Sequence, residues 1–167
     1  MKTFIQYLNE VAIGKGHEPA EYHAETHRSG HVTHTYHHDD GTTVGIIEDP
    51  KNNNHYVEVR HDGSTSRVGS TIRKNKKKAI GMVGRVASTM RRHDKVHKPN
   101  SYSYSTSVGR GVQGKGRSHR AKQALFHGVM KRITKDSGDK FETTHEDDKN
   151  YRGAVSFTKT KHTRVAG

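Results

Sequence analysis

The apolar residues of this chain first change their spacing near residue 73, and that change restricts the folds open to it. Before it they alternate with polar residues, the period of a half-buried strand; after it they recur at helical spacing. HVTHTYHH (31–38), DDG and TTVGIIE (42–48) read as a hairpin around Asp40-Gly41. DPKNNN (49–54) is a turn cluster, HYVEVRHD (55–62) a third strand and STSRVGSTI (64–72) a fourth. Ile80, Val83, Ala87 and Met90 then mark one face of a helix from about 75 to 95, which Pro99 ends. SYSYSTS (101–107) alternates again. Ala121, Leu125, Val129 and Ile133 mark a second helix from about 118 to 135, and FETTHEDD (141–148) with RGAVSFTKT (152–160) reads as a closing hairpin. The predicted order is ββββ-α-β-α-ββ. This is an α+β fold, a small antiparallel sheet with two helices packed on one face. It occupies a single domain at 31–160, between a flexible tail at 11–30 and a short C-terminal tail at 161–167.

The core of such a domain is small, because only 28% of the 167 residues are apolar, with four Phe and no Trp. The absence of cysteine excludes disulfides and thiolate chemistry. The net charge of +13 is unevenly spread: −4 over 1–72, +9 over 73–100, +8 over 101–135 and zero over 136–167. One central cationic block between neutral or acidic ends is the footprint of a polyanion partner, most simply DNA held non-specifically through its phosphates. The candidate contacts are Arg73, Lys74, Lys76, Lys77, Lys78, Arg85, Arg91 and Arg92, then Arg110, Lys115, Arg117, Arg120 and Lys122 around the start of the second helix. Tyr102 and Tyr104 offer base stacking, or else simply alternate along an edge strand.

The first ten residues, MKTFIQYLNE, stand apart. Phe4, Tyr7 and Leu8 fall at i, i+3 and i+4, with Val11 on the same face. Thr3 and Gln6 form a capping-box pair, and Gly14 and Gly16 stop the helix. About ten residues is too short for a stable isolated helix and too short to span a membrane. The segment also lacks the apolar run and cleavage site of a secretory signal. It resembles the capsid-targeting sequence of the internal head proteins of T-even-type tailed phages. In that family an amphipathic piece opening Met-Lys-Thr-aromatic is removed by the prohead protease after Glu in a Leu/Ile-x-Glu motif. The resemblance implies targeting through Phe4, Tyr7 and Leu8 and cleavage at Leu8-Asn9-Glu10, freeing Val11. It implies the prohead core and its protease as partners, a cytoplasmic stage during assembly, residence inside the capsid of the virion, and ejection with the genome. A second Leu/Ile-x-Glu match, Ile46-Ile47-Glu48, falls in a predicted strand, where folding is expected to protect it. The rival within the virion is a structural neck, tail or capsid protein whose N-terminal helix stays docked.

Other chemistry is weakly signalled. Gly109-x-Gly111-x-x-Gly114 has the spacing of a dinucleotide fingerprint, but no βαβ unit with a ribose-binding acid follows it. The element order resembles that of the acyl-CoA-dependent N-acetyltransferases, in which a helix start cradles a pyrophosphate. The corresponding signature falls near 73–78, where its glycine is missing. Of the 15 histidines, His23, His27 and His31 have helical spacing but are interrupted by Ser29-Gly30, and His34, His37 and His38 follow without a completing ligand set. The sequence therefore reads as a non-enzymatic protein with no metal and no cofactor.

Overall fold

The computed structural model describes residues 18–107, 115–147 and 153–160. Four strands come first: β1 (Glu21–Thr26), β2 (Val32–His37), β3 (Thr42–Asp49) and β4 (Asn54–His61). Two helices follow, α1 (Thr65–Lys74) and α2 (Lys76–His97). Then come β5 (Ser101–Ser105), α3 (Lys115–Ser137), β6 (Phe141–Asp147) and β7 (Gly153–Lys159). The strands form one sheet in the order β1-β2-β3-β4-β5-β7-β6. Every pair is antiparallel except β4 with β5, which α1 and α2 connect. A parallel pair requires such a crossover.

Alternate residues of the strands face the helices. Tyr36, Val44, Ile46, Val57, Val59, Tyr102, Tyr104, Val155 and Phe157 are buried on that side, in one cluster with apolar residues of all three helices. Thr33, Thr35, Thr43, Gly45, Ile47, Tyr56, Glu58 and Arg60 line the opposite face. The expected α+β architecture holds, with seven strands and three helices in place of a small sheet and two. Among the described residues no helix is long and apolar enough to cross a membrane.

Two segments differ from the sequence reading; together they leave the number of strands unchanged and add one helix. Residues 64–72, expected as a strand, lie largely in α1: Val68 and Ile72, four apart, form a buried helical stripe. Gly69 faces Ser118 of α3 so closely that a Cβ there would lie 2.7 Å from the serine Cβ. Residues 21–26, expected in the tail, form edge strand β1, paired with β2 along its whole length. Its side chains are all exposed, so it carries little apolar alternation; Tyr22, stacked 4.7 Å from Tyr36, provides its main side-chain anchor. Asn75 separates α1 from α2 with an extended backbone, and its side chain accepts a hydrogen bond from the Lys78 N–H at 3.1 Å, capping α2. At the far end Lys98 takes a left-handed conformation just before Pro99.

Candidate nucleic-acid interface

The cationic block divides once folded. Its exposed part gathers where α1 meets α2: Lys74 ends α1 beside the half-buried Arg73, and Lys76, Lys77 and Lys78 make the first turn of α2. Cations at a helix C-terminus are favourable, but three at an N-terminus oppose the helix dipole, and no acidic residue occupies that turn. An anion placed at this helix start would be favoured by both the dipole and the lysines. A second exposed group, Arg117 and Arg120, flanks Ser118 in α3, where α1 crosses. Lys77 and Lys78 line a hollow that also holds Arg85 and the carboxylates of Asp40 and Asp62, so the cationic surface has an acidic border.

Other predicted contacts serve the fold. Arg85 is largely buried between Asp39 and Asp40, at 3.6 and 3.5 Å. Arg91 pairs with Asp136 at 2.8 Å, joining α2 to α3, whereas Arg92 stays exposed, 3.9 Å from an equally exposed Glu18. Lys122 is 1% exposed and donates to the Ser107 carbonyl at 2.8 Å. Burial pushes its pKa down to about 8, against the pull of Glu58. Tyr102 and Tyr104 are wholly buried, on a strand with neighbours on both sides rather than an edge, so they present no stacking surface. The Tyr102 hydroxyl donates to Asp94 at 2.6 Å. Arg110 and the 109–114 glycine motif lie outside the described residues, as does the side chain of Lys115. Arg67, which the strand reading of its segment hides, is an exposed cation of α1 lying 4.0 Å from Asp62.

The targeting residues Phe4, Tyr7 and Leu8 and the cleavage residues Leu8, Glu10 and Val11 also lie outside the described residues. Ile46-Ile47-Glu48 lies in β3, hydrogen-bonded to β2 on one side and β4 on the other. His23 and His27 lie on or beside the exposed edge strand. A different set converges under the helices: His34 of β2, His55 of β4, and His93 and His97 of α2. The sequence carries a signal for it, since His93 and His97 are four apart on a helix and His34 and His55 occupy core-facing strand positions. Burial first, then neighbouring imidazoles, drives the pKa of His55 down to about 4 and that of His93 to about 2, so both are neutral. No known protein family, curated protein or solved structure matches the chain.

Proposed function

We propose that this protein is packaged inside the head of a tailed phage, delivered by residues 1–10, released by cleavage after Glu10, and retained on DNA through phosphate contacts. The observation that carries the DNA half is the cationic α1–α2 junction, where the first turn of α2 holds three lysines and no acid. The targeting half rests on the resemblance of MKTFIQYLNE to the capsid-targeting sequence. Intact-mass spectrometry of the protein from mature particles tests it. A chain starting at Val11 is expected. A chain starting at Met1 would overturn the targeting account and favour a structural virion protein with a permanently docked helix.

One observation favours a second reading, an acyl-CoA-dependent N-acetyltransferase-like enzyme. The last parallel pair of β4 and β5 is Val57 with Tyr104, while β4 continues to His61. The two strands therefore part at their carboxyl ends, the position where ligands bind in open sheets with parallel strands. The helix that follows β4 is α1, so a phosphate cradle would fall at 62–65 rather than 73–78. There Asp62 already places a carboxylate beside the helix start, facing Arg67. Calorimetric titration with acetyl-CoA separates the readings: saturable binding supports the enzyme, and its absence supports the DNA-associated protein.

A further inference from the structure

We propose that His34, His93 and His97 bind a divalent transition cation of the zinc class, with the Glu48 carboxylate as fourth ligand. One ligand atom from each of the three histidines lies within 4.8 Å of the others. Glu48 Oε2 sits 2.9 Å from His34 Nε2 and 3.9 Å from His97 Nδ1. Donor atoms around a tetrahedral zinc at ~2.0–2.1 Å stand roughly 3.3 Å apart, so small side-chain rotations bring these groups to bonding distance. Imidazole and carboxylate are the donor types that suit this metal class.

The supporting hydrogen bonds are those a metal site needs. The outer nitrogen of a ligating histidine is normally held by a fixed partner, which sets the ring's orientation. Here His34 Nδ1 meets the Tyr22 hydroxyl at 2.9 Å and His93 Nδ1 meets the Tyr36 hydroxyl at 3.0 Å. A tyrosine hydroxyl both donates and accepts, so each supports the metal-free and the metal-bound tautomer. His55 completes the arrangement. The Asn53 amide donates to the Lys98 carbonyl at 3.3 Å, which turns its oxygen toward His55 Nε2 at 3.2 Å. His55 must then carry its proton on Nε2, leaving the Nδ1 lone pair 2.7 Å from His93 Nε2. Without metal, a proton on His93 fills that gap. A cation bound to His93 Nε2 displaces that proton and, at ~2.0–2.1 Å from the nitrogen, needs the His55 ring to shift back from its 2.7 Å position, after which the His55 lone pair faces positive charge. His34 and His93 are buried, whereas the His97 and Glu48 side chains are about a quarter exposed, which gives the ion a way in. A bound ion would clasp the last two turns of α2 to β2 and β3.

The test uses the full-length chain, stripped with chelator and titrated with Zn²⁺ by calorimetry, with Co²⁺ absorption reporting coordination geometry. One site per chain with tetrahedral Co²⁺ spectra is expected. H97Q, at a partly exposed position, should lose at least about 10-fold in affinity, the loss that even an outer-shell partner's removal brings, while His97→Cys, which keeps a zinc donor, should retain the site. E48Q should weaken binding while keeping the wild-type fold by circular dichroism. The double variant H23Q/H27Q, on and beside the exposed edge strand, should bind as wild type. The proposal is overturned if the folded wild type takes up no Zn²⁺, if binding survives both H97Q and E48Q unchanged, or if H23Q/H27Q abolishes it.

Discussion

Lys122 shows why residue identity alone does not define an interface. Its charge counts toward a DNA-binding surface in the sequence, yet its ammonium is enclosed and bonded to the Ser107 carbonyl. With a folded pKa of about 8 against 10.5 for an ordinary lysine, the folded state binds fewer protons than the unfolded state between those values. Stability therefore rises with pH across that window, by at most about 1.4 kcal/mol per pH unit. Below pH 8 the contribution is absent. K122M removes this dependence, so denaturant titrations at pH 7 and pH 10 should show the wild type gaining on the variant as pH rises. A pH-independent difference would mean that Lys122 does not titrate there. The same variant should leave DNA affinity unchanged. The other cations that turn out to be structural share one cause. The acids that hold Arg85 and Arg91 lie roughly forty-five residues away along the chain, and only the fold brings them together. The histidine cluster is only half legible: the i, i+4 spacing of His93 and His97 can be read from the sequence, but their meeting with His34 and His55 of two strands is set by the fold.

At the scale of elements, the contact between α1 and α3 is the tightest constraint. Gly69→Ala would raise helix propensity by up to about 1 kcal/mol, but its methyl group would sit 2.7 Å from Ser118 Cβ and 2.9 Å from the Ser118 carbonyl oxygen. The second partner is backbone and cannot turn aside. Overpacking of this kind costs about 1–3 kcal/mol, so G69A should lower the denaturation midpoint despite the better helix former. An unchanged or higher midpoint would show that the two helices have room to separate. This contact also explains where the fold is legible. α2, α3, the 31–48 hairpin and the closing hairpin follow from apolar spacing. α1 has only Val68 and Ile72 to mark its period, and its glycine, which looks like a strand or turn signal, is a packing device. β1 is illegible because nothing apolar covers it; its place is set by backbone pairing with β2.

At the scale of the whole molecule, DNA affinity should depend on a subset of the positive charge. Substituting Lys74, Lys77 and Lys78 together with glutamine should weaken DNA binding and reduce its salt slope by roughly 3, about one unit for each phosphate no longer neutralised. Measuring binding across a salt series checks this, with K122M as the matched control in which one cation is removed from the interior. A loss in K122M one third as large as in the triple variant, the same loss per charge removed, would mean that net charge alone governs binding. The broad division into a strand-rich acidic half and a helix-rich basic block is readable from the sequence, because it needs only composition and period. The splitting of that block into exposed and structural cations is not, because it depends on which helix faces turn inward.

The position of Ile46-Ile47-Glu48 in the middle of three paired strands has a further consequence under the proposed reading. A protease that reads Leu/Ile-x-Glu needs an extended, unpaired backbone, which the folded chain denies it at Glu48. A passenger that reached the prohead unfolded would be cut there as well as after Glu10, which breaks the chain at the end of β3 and parts β1–β3 from the rest of the fold. Maturation would then act as quality control, sparing only copies that had already folded. Incubation with the prohead protease should give one cut in the native protein and two in urea; cleavage after Glu48 in the native chain would remove this selection.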